Sequence, residues 1–115
     1  MKNILIVGGL GFLGSTILKR LSDLSSYFIY VYDFKNPSAS SNENKKDIRF
    51  INANEFTLKS LLEKYRFHFI INAAVIYETD LQHQIFETNF VMPLKILDYG
   101  VINGCRNFIF FDSFL

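Results

Sequence analysis

The chain has 115 residues, which is enough for one domain and too few for two. Half of the residues are hydrophobic and a fifth are charged, a composition that can bury a core and argues against disorder. The net charge of +1 provides no strong field for nucleic acid or an anionic membrane. Thirteen Phe and six Tyr predict an unusually aromatic core.

The single cysteine and the N-terminus limit the class of protein further. Cys105 has no partner for an internal disulfide and no nearby Cys or His pair for zinc, so we predict no metal site and a buried thiol. The apolar run 4–7 is short, leads into glycines and has no cleavage site of a signal peptide. No stretch approaches the roughly 20 apolar residues of a membrane span. We therefore expect a cytoplasmic protein with neither nucleic acid nor membrane as a partner.

The first predicted unit is a strand, a glycine turn and a helix. Residues 3–7 form an apolar run without alternation, typical of a strand buried on both faces of a parallel sheet. The turn follows as G-G-L-G-F-L-G over residues 8–14. Residues 15–24 then carry apolar side chains at helical spacing.

Strands and helices alternate along the rest of the chain. Pattern and composition predict further strands at 27–32, 48–51, 67–72 and 108–111, a loop at 34–47 and helices at 56–65 and 83–103. Pro93 should either kink the last helix or lie in its first turn. The apolar stripe of that helix comprises Ile85, Phe86, Phe90, Leu94, Leu97 and Val101. This alternation predicts a parallel sheet with helices on both faces.

The glycine turn has the spacing of a phosphate-binding loop. Gly8 allows a tight turn out of the strand, Gly11 lets the backbone approach a pyrophosphate, and Gly14 lets the helix pack closely. The amides and the positive dipole end of the helix favour a bound phosphate. The alternative is an ordinary strand-to-helix turn.

Asp33 is the second part of this fingerprint. It lies 19 residues after Gly14, at the end of the second strand, where a carboxylate accepts the ribose hydroxyls of an adenosine. It would repel a 2′-phosphate, which favours NAD over NADP, although Lys35 nearby provides a cation that could accommodate that phosphate. Alternatively, Asp33 is a surface acid.

Residues 6–15, I-V-G-G-L-G-F-L-G-S, resemble the opening motif V-T-G-G-x-G-F-I-G-S of the NAD-dependent epimerase/dehydratase family. These are extended short-chain dehydrogenases/reductases similar to UDP-glucose 4-epimerase. The resemblance implies that the backbone at Phe12 and Leu13 also holds the pyrophosphate of NAD. It further implies a nucleotide-sugar substrate.

Later segments resemble the same family in the same order. In F-I-N-A-N-E, after the third strand, the resemblance places Asn54 and Glu55 beside the adenine. In I-I-N-A-A, at the end of the fourth strand, it places Ala73 and Ala74 against the cofactor. In T-N-F it implies that Asn89 supports the nicotinamide side.

The resemblance ends before the residues that would perform chemistry. The segment R-N-F-I-F-F-D-S resembles the fifth strand and implies that Ser113 helps to position the substrate. The family's Tyr-x-x-x-Lys pair is missing, because none of the six Tyr residues is followed four positions later by Lys. An unassisted serine hydroxyl is a very poor base and cannot replace the tyrosine.

Together these observations predict an α/β fold, a five-stranded parallel Rossmann sheet of order 3-2-1-4-5 that is incomplete at its fifth strand. Residues 1–115 would form one NAD(P)-binding domain, truncated before the Tyr–Lys pair and the substrate lobe. The leading hypothesis is NAD(H) binding in a nucleotide-sugar epimerase/dehydratase framework without turnover by this chain. The first alternative is a non-catalytic nucleotide-sensing or assembly module that pairs through its open strand-5 edge, as in a homo-oligomer. The second is a truncated product or a piece of a longer protein.

Overall fold

Five parallel strands form the sheet in the computed structural model, which describes residues 2–24, 26–37, 47–74 and 87–111. Their order, β3-β2-β1-β4-β5, is the predicted one. The strands are β1 (Lys2–Val7), β2 (Tyr27–Asp33), β3 (Ile48–Asn52), β4 (Phe69–Asn72) and β5 (Phe108–Phe110).

Three α-helices connect the described strands: α1 (Phe12–Ser22), α2 (Leu58–Lys64) and α3 (Met92–Ile102). A π-helical turn, Glu87–Val91, leads directly into α3. Within the described ranges, no helix is long and apolar enough to cross a membrane.

The central position of β1 explains its unbroken apolar run. It pairs with β2 on one side and β4 on the other, so both of its faces are covered. Ile4, Leu5, Ile6 and Val7 are all buried, and Leu5 and Ile6 are fully inaccessible. The strand therefore delivers Gly8 to the middle of the sheet's carboxyl edge.

Helices cover both faces of the sheet, as predicted. On one face, Leu61 and Leu62 of α2 and Ile96 of α3 pack in a cluster with Leu5 and Ile70 of the sheet. On the other face, Leu18 of α1 belongs to a second cluster with alternate residues of β1 and β2. The alternation of side chains along each strand divides the core into these two layers.

The prediction of an unusually aromatic core is only partly correct. Tyr30, Tyr32 and Phe67 are buried in the described part of the core, and the other buried hydrophobic side chains are aliphatic apart from Cys105. Many of the described phenylalanines are exposed instead. They are Phe12, Phe34, Phe56, Phe90, Phe110 and Phe111. Aromatic content alone did not indicate which rings face inward.

The predicted apolar stripe of the last helix is not the face that packs on the sheet. Ile96 and Gly100 are buried in α3, whereas Leu94, Leu97 and Val101 are 58%, 42% and 56% exposed. A Cβ at Gly100 would clash with the ring of Phe108, so this glycine lets β5 and α3 approach closely. Ile85 and Phe86, the first two residues of the predicted stripe, lie outside the described residues.

Two other predictions near α3 have clear outcomes. Pro93 lies in the first turn of the α-helix, one of its two predicted positions, where a missing N–H costs little. β5 is the last strand of the described sheet, and Ile109 and Phe110 are 46% and 40% exposed. Among the described residues β5 is therefore the outer strand of the sheet, with Phe108 packed against the core and the next two residues partly exposed.

Candidate functional site

A cavity of about 510 Å³ opens at the carboxyl ends of β1, β2 and β4. In doubly wound sheets, ligands bind at this edge, where the direction of strand order reverses. The cavity is lined by Val7, Gly8, Gly11, Tyr32, Asp33, Phe34, Lys35, Ala53, Ala73, Ala74, Glu87, Thr88 and Met92. Five of the predicted cofactor-binding residues are in this lining: Gly8, Gly11, Asp33, Ala73 and Ala74.

The fold itself requires two of the three predicted glycines. Gly8 has φ +78°, and a Cβ there would lie 2.7 Å from the backbone nitrogen of Ala74. A Cβ at Gly14 would overlap the carbonyl oxygen of Gly8. Both positions are therefore closed to larger residues by neighbouring backbone.

Gly11 differs from these two glycines. A Cβ at Gly11 would meet only the carbonyl oxygen of Gly8, at 3.4 Å, and its φ of −76° is accessible to any residue. Neither packing nor backbone conformation requires glycine here. The missing side chain leaves open space on the cavity side, directly before the helix.

The N-terminus of α1 presents backbone amides without competing side chains. Gly11 is the N-cap and provides no side-chain hydrogen bond, and the first turn contains no acidic residue. The first amides of an α-helix have no intrahelical acceptor, which leaves those of Phe12, Leu13 and Gly14 for an anion. The side chain of Phe12 is 93% exposed, so this position contributes its backbone rather than packing.

Asp33 connects the end of β2 to the glycine turn. Its Oδ2 accepts a hydrogen bond from the Leu10 amide at 3.0 Å, and its Oδ1 accepts one from the Lys35 amide at 3.1 Å. A carboxylate has about four lone-pair sites, so both oxygens can still accept a ribose hydroxyl. The two backbone bonds fix the direction of the carboxylate into the cavity.

A network of amides holds the segment after β2. The Asn52 side chain donates to Asn36 Oδ1 at 2.8 Å, and its Oδ1 accepts from the Asn54 amide. The Asn54 side chain donates to the Phe34 carbonyl over a long distance of 3.4 Å. These bonds position Phe34 and Lys35 at the rim of the cavity.

Asn54 and Glu55, which the resemblance assigns to the adenine, are both exposed and lie outside the cavity lining. Ala53, the preceding residue, lines the cavity, and its amide donates to the Asp33 carbonyl at 2.8 Å. Asn54 and Glu55 therefore follow a lining residue, Ala53, without lining the cavity themselves.

Two small residues form the floor of the cavity beside β1. Ala73 donates its amide to the Val7 carbonyl at 2.8 Å, and the Ala74 amide donates to Oδ1 of the buried Asn72. Ala74 also lies directly against Gly8. This contact fixes the glycine turn against the end of β4.

Sequence reasoning missed the contribution of the π-helical turn. It brings Glu87 and Thr88 to the cavity, and Met92 at the start of α3 lines it as well. Asn89, the predicted residue, is exposed on the same turn, one residue after Thr88. A helical repeat of 3.6 residues could not indicate these side chains, because a π turn changes which ones face inward. Ser113, assigned to the substrate, lies outside the described residues.

Comparisons with known proteins identify the family of the chain. The profile of the NAD dependent epimerase/dehydratase family matches residues 4–114. The chain belongs to this family. No curated protein sequence matches it significantly.

Solved structures of similar fold include several enzymes named for sugar nucleotides. The UDP-Glc/GlcNAc 4-epimerase of Campylobacter jejuni has a TM-score of 0.80 and 23% identity, over 96% of this chain and 36% of that one. The dTDP-glucose 4,6-dehydratase of Bacillus anthracis, in complex with NAD, has a TM-score of 0.76 and 19% identity, over 96% of this chain and 37% of that one. The UDP-glucuronic acid 4-epimerase of Bacillus cereus, also in complex with NAD, has a TM-score of 0.75 and 22% identity, over 94% of this chain and 39% of that one. This chain thus spans little more than a third of the length of these proteins.

Proposed function

We propose that this chain binds NAD(H) in the cavity at the carboxyl edge of β1, β2 and β4. The proposal rests on the open backbone at Gly11. The fold does not require glycine at this position, whereas a pyrophosphate in close contact with the backbone would require it. The amides of Phe12 and Leu13 would receive the phosphate charge, and Asp33 would accept the ribose hydroxyls. Ala73 and Ala74 would lie against the nicotinamide half, with Asn89 beside it. Asn54 and Glu55 would border the adenine.

The proposed cofactor is NAD rather than NADP. Both carboxylate oxygens of Asp33 accept hydrogen bonds from backbone amides. These bonds fix the negative charge where the adenosine ribose would lie. A 2′-phosphate there would meet this carboxylate at close range, and like charges in a partly buried site repel strongly. Lys35 lines the same end of the cavity and would reduce this penalty without removing the carboxylate.

The proposed framework is that of a nucleotide-sugar epimerase/dehydratase, in which bound NAD(H) exchanges hydride with a sugar carbon. The residues of this chain would bind and orient that cofactor, and Ser113 would help to position the sugar. A base must take the hydroxyl proton, and none of the six Tyr residues has the accompanying Lys. We therefore propose that residues 1–115 bind the cofactor as one domain and do not turn over substrate alone.

A calorimetric titration of the chain with NAD and with NADP tests this proposal. We expect saturable heat with NAD and weaker binding of NADP. Asp33→Asn should weaken NAD binding roughly 10- to 100-fold, because it loses hydrogen bonds to a charged acceptor. Glu63→Gln on the exposed face of α2 removes a carboxylate outside the cavity lining and should leave the NAD affinity unchanged. Absence of heat at millimolar NAD would refute the proposal for this chain.

The second candidate is a non-catalytic nucleotide-sensing or assembly module. The partly exposed β5 strand, with Ile109 and Phe110 accessible, would provide a surface for assembly. It predicts NAD binding that changes the association of the chain. If sedimentation of the chain is identical with and without saturating NAD, the sensing role is ruled out.

A further inference from the structure

The charged residues in the described lining of the cavity lie at two different ends of it. Asp33 and Lys35 are at the end of β2, whereas Glu87 begins the π-helical turn that leads into α3. Helix α3 lies over the opposite side of the sheet from β2, because its Gly100 is in close contact with the ring of Phe108 in β5. Glu87 is therefore on the β4 side of the cavity, away from the two charges that follow β2.

The proposed position of the cofactor determines which of its halves would meet Glu87. Asp33 would hold the adenosine ribose at the end of β2, and the glycine turn after β1 would hold the pyrophosphate. Because the strands lie in the order β2-β1-β4, the rest of the dinucleotide would extend toward β4. Glu87 lines that end of the cavity, so its carboxylate and the nicotinamide ring would share the same space.

The nicotinamide ring is the part of the cofactor whose charge depends on its redox state. The ring is positively charged in NAD⁺, and addition of a hydride gives the neutral dihydronicotinamide of NADH. A carboxylate close to the ring therefore attracts the oxidised form and has no comparable attraction for the reduced form. In the described part of the chain the recorded ion pair joins Lys59 and Glu63, so no cation there neutralises Glu87.

From this placement we propose that Glu87 shifts the binding preference of the chain toward NAD⁺ and away from NADH. The proposal rests on the cofactor site proposed above. Glu87 is exposed, so solvent screens its charge and the shift in the ratio of the two dissociation constants is moderate, about three- to tenfold. A preference for the oxidised form suits a bound cofactor that accepts a hydride from a sugar carbon before it returns one.

Calorimetric titrations of the chain with NAD⁺ and with NADH, at low ionic strength, test the proposal. Glu87→Gln should reduce the preference for NAD⁺ about three- to tenfold, mainly by weakening the binding of NAD⁺. Glu87→Asp keeps the charge and should retain most of the preference. Glu55→Gln removes the same charge from an exposed residue outside the cavity lining and should leave the ratio unchanged. Added salt should reduce the effect of Glu87→Gln, because the Debye length falls from about 30 Å at roughly 0.01 M to about 8 Å at roughly 0.15 M.

Three results would overturn the proposal, and they separate it from the proposed function. If the chain binds both forms and Glu87→Gln leaves the ratio unchanged, Glu87 does not set the preference and the cofactor site stands. If Glu55→Gln shifts the ratio as much as Glu87→Gln does, the ratio follows the net charge of the protein and not the position of Glu87. If neither form binds the natural chain, the cofactor site is refuted and the role of Glu87 with it.

Discussion

The glycines of the phosphate turn perform different tasks that can be separated by substitution. Gly8 and Gly14 are enclosed by backbone, whereas Gly11 faces open space. The motif predicted a tight turn at Gly8, close helix packing at Gly14 and an approaching pyrophosphate at Gly11, and the backbone contacts at Gly8 and Gly14 agree with the first two. The contacts of a hypothetical Cβ distinguish the two glycines that the fold requires from Gly11, for which we propose a role in binding the ligand.

We predict that Gly11→Ala mainly weakens NAD binding, whereas Gly14→Ala mainly destabilises the fold. Gly11→Ala should lower the free energy of unfolding by about 1 kcal/mol or less, since Ala is only a poorer N-cap. Its NAD affinity should fall at least tenfold, because the new methyl would occupy the place that we propose for the pyrophosphate. Gly14→Ala should lower the free energy of unfolding by about 3 kcal/mol through its clash with the Gly8 carbonyl. Urea unfolding and calorimetry measure both quantities, and equal destabilisation by the two substitutions would contradict this division of roles.

Tyr30 provides a second prediction at the scale of single residues. Burial raises its pKa above the ordinary value of 10.0, while the nearby Arg49 lowers it and Tyr65 raises it further. A raised pKa in the folded state gives stability that is complete below pH 10 and lost as pH rises through the folded value. Tyr30→Phe keeps the ring and removes this ionisation.

The free energy of unfolding should therefore fall less steeply above pH 10 for Tyr30→Phe than for the natural chain. Some decline should remain, because burial also raises the pKa of Tyr32 and that of the Cys105 thiol. Urea midpoints measured from about pH 8 to pH 11 give the comparison. Parallel curves for the two proteins would show that Tyr30 does not contribute.

At the scale of elements, the sequence predicted every described strand and the three helices but not all of their limits or faces. Helix α1 begins at Phe12, three residues before the predicted start. Its first turn can include Gly14, because the close contact with the Gly8 carbonyl at this position leaves no room for a Cβ. The packing face of α3 could not be predicted, since both of its sides are apolar. The contact between Gly100 and Phe108 determines which face of α3 packs on the sheet, and this contact depends on where β5 lies.

Helix α2 begins where its N-cap indicates. The Thr57 hydroxyl accepts a hydrogen bond from the Ser60 amide at 3.1 Å, and the helix then buries Leu61 and Leu62. Thr57→Ala should lower the free energy of unfolding by about 1 kcal/mol, and Thr57→Ser should preserve it. Urea unfolding measures both, and an equal loss in the two variants would show that the methyl group, rather than the hydroxyl, stabilises this end.

At the scale of the whole molecule, the sheet brings together residues that are far apart in the sequence. Gly8, Asp33 and Ala74 meet at one edge because β1, β2 and β4 are parallel neighbours. The position of these three residues at one edge could be predicted, because the strand order and the glycine motif both follow from backbone geometry. The contribution of Glu87, Thr88 and Met92 was not predictable, because it depends on the π turn that precedes α3.

The most direct test of the account is a site-resolved titration. Amide proton–nitrogen spectra of the chain, recorded with increasing NAD, report each backbone position separately. We predict saturable shifts at Gly11, Phe12 and Leu13 and at the residues around Asp33, with little change at the exposed residues Leu94 and Val101 of α3. If saturating NAD leaves these turn amides unshifted, or shifts only residues away from the carboxyl edge of the sheet, the turn does not hold the cofactor.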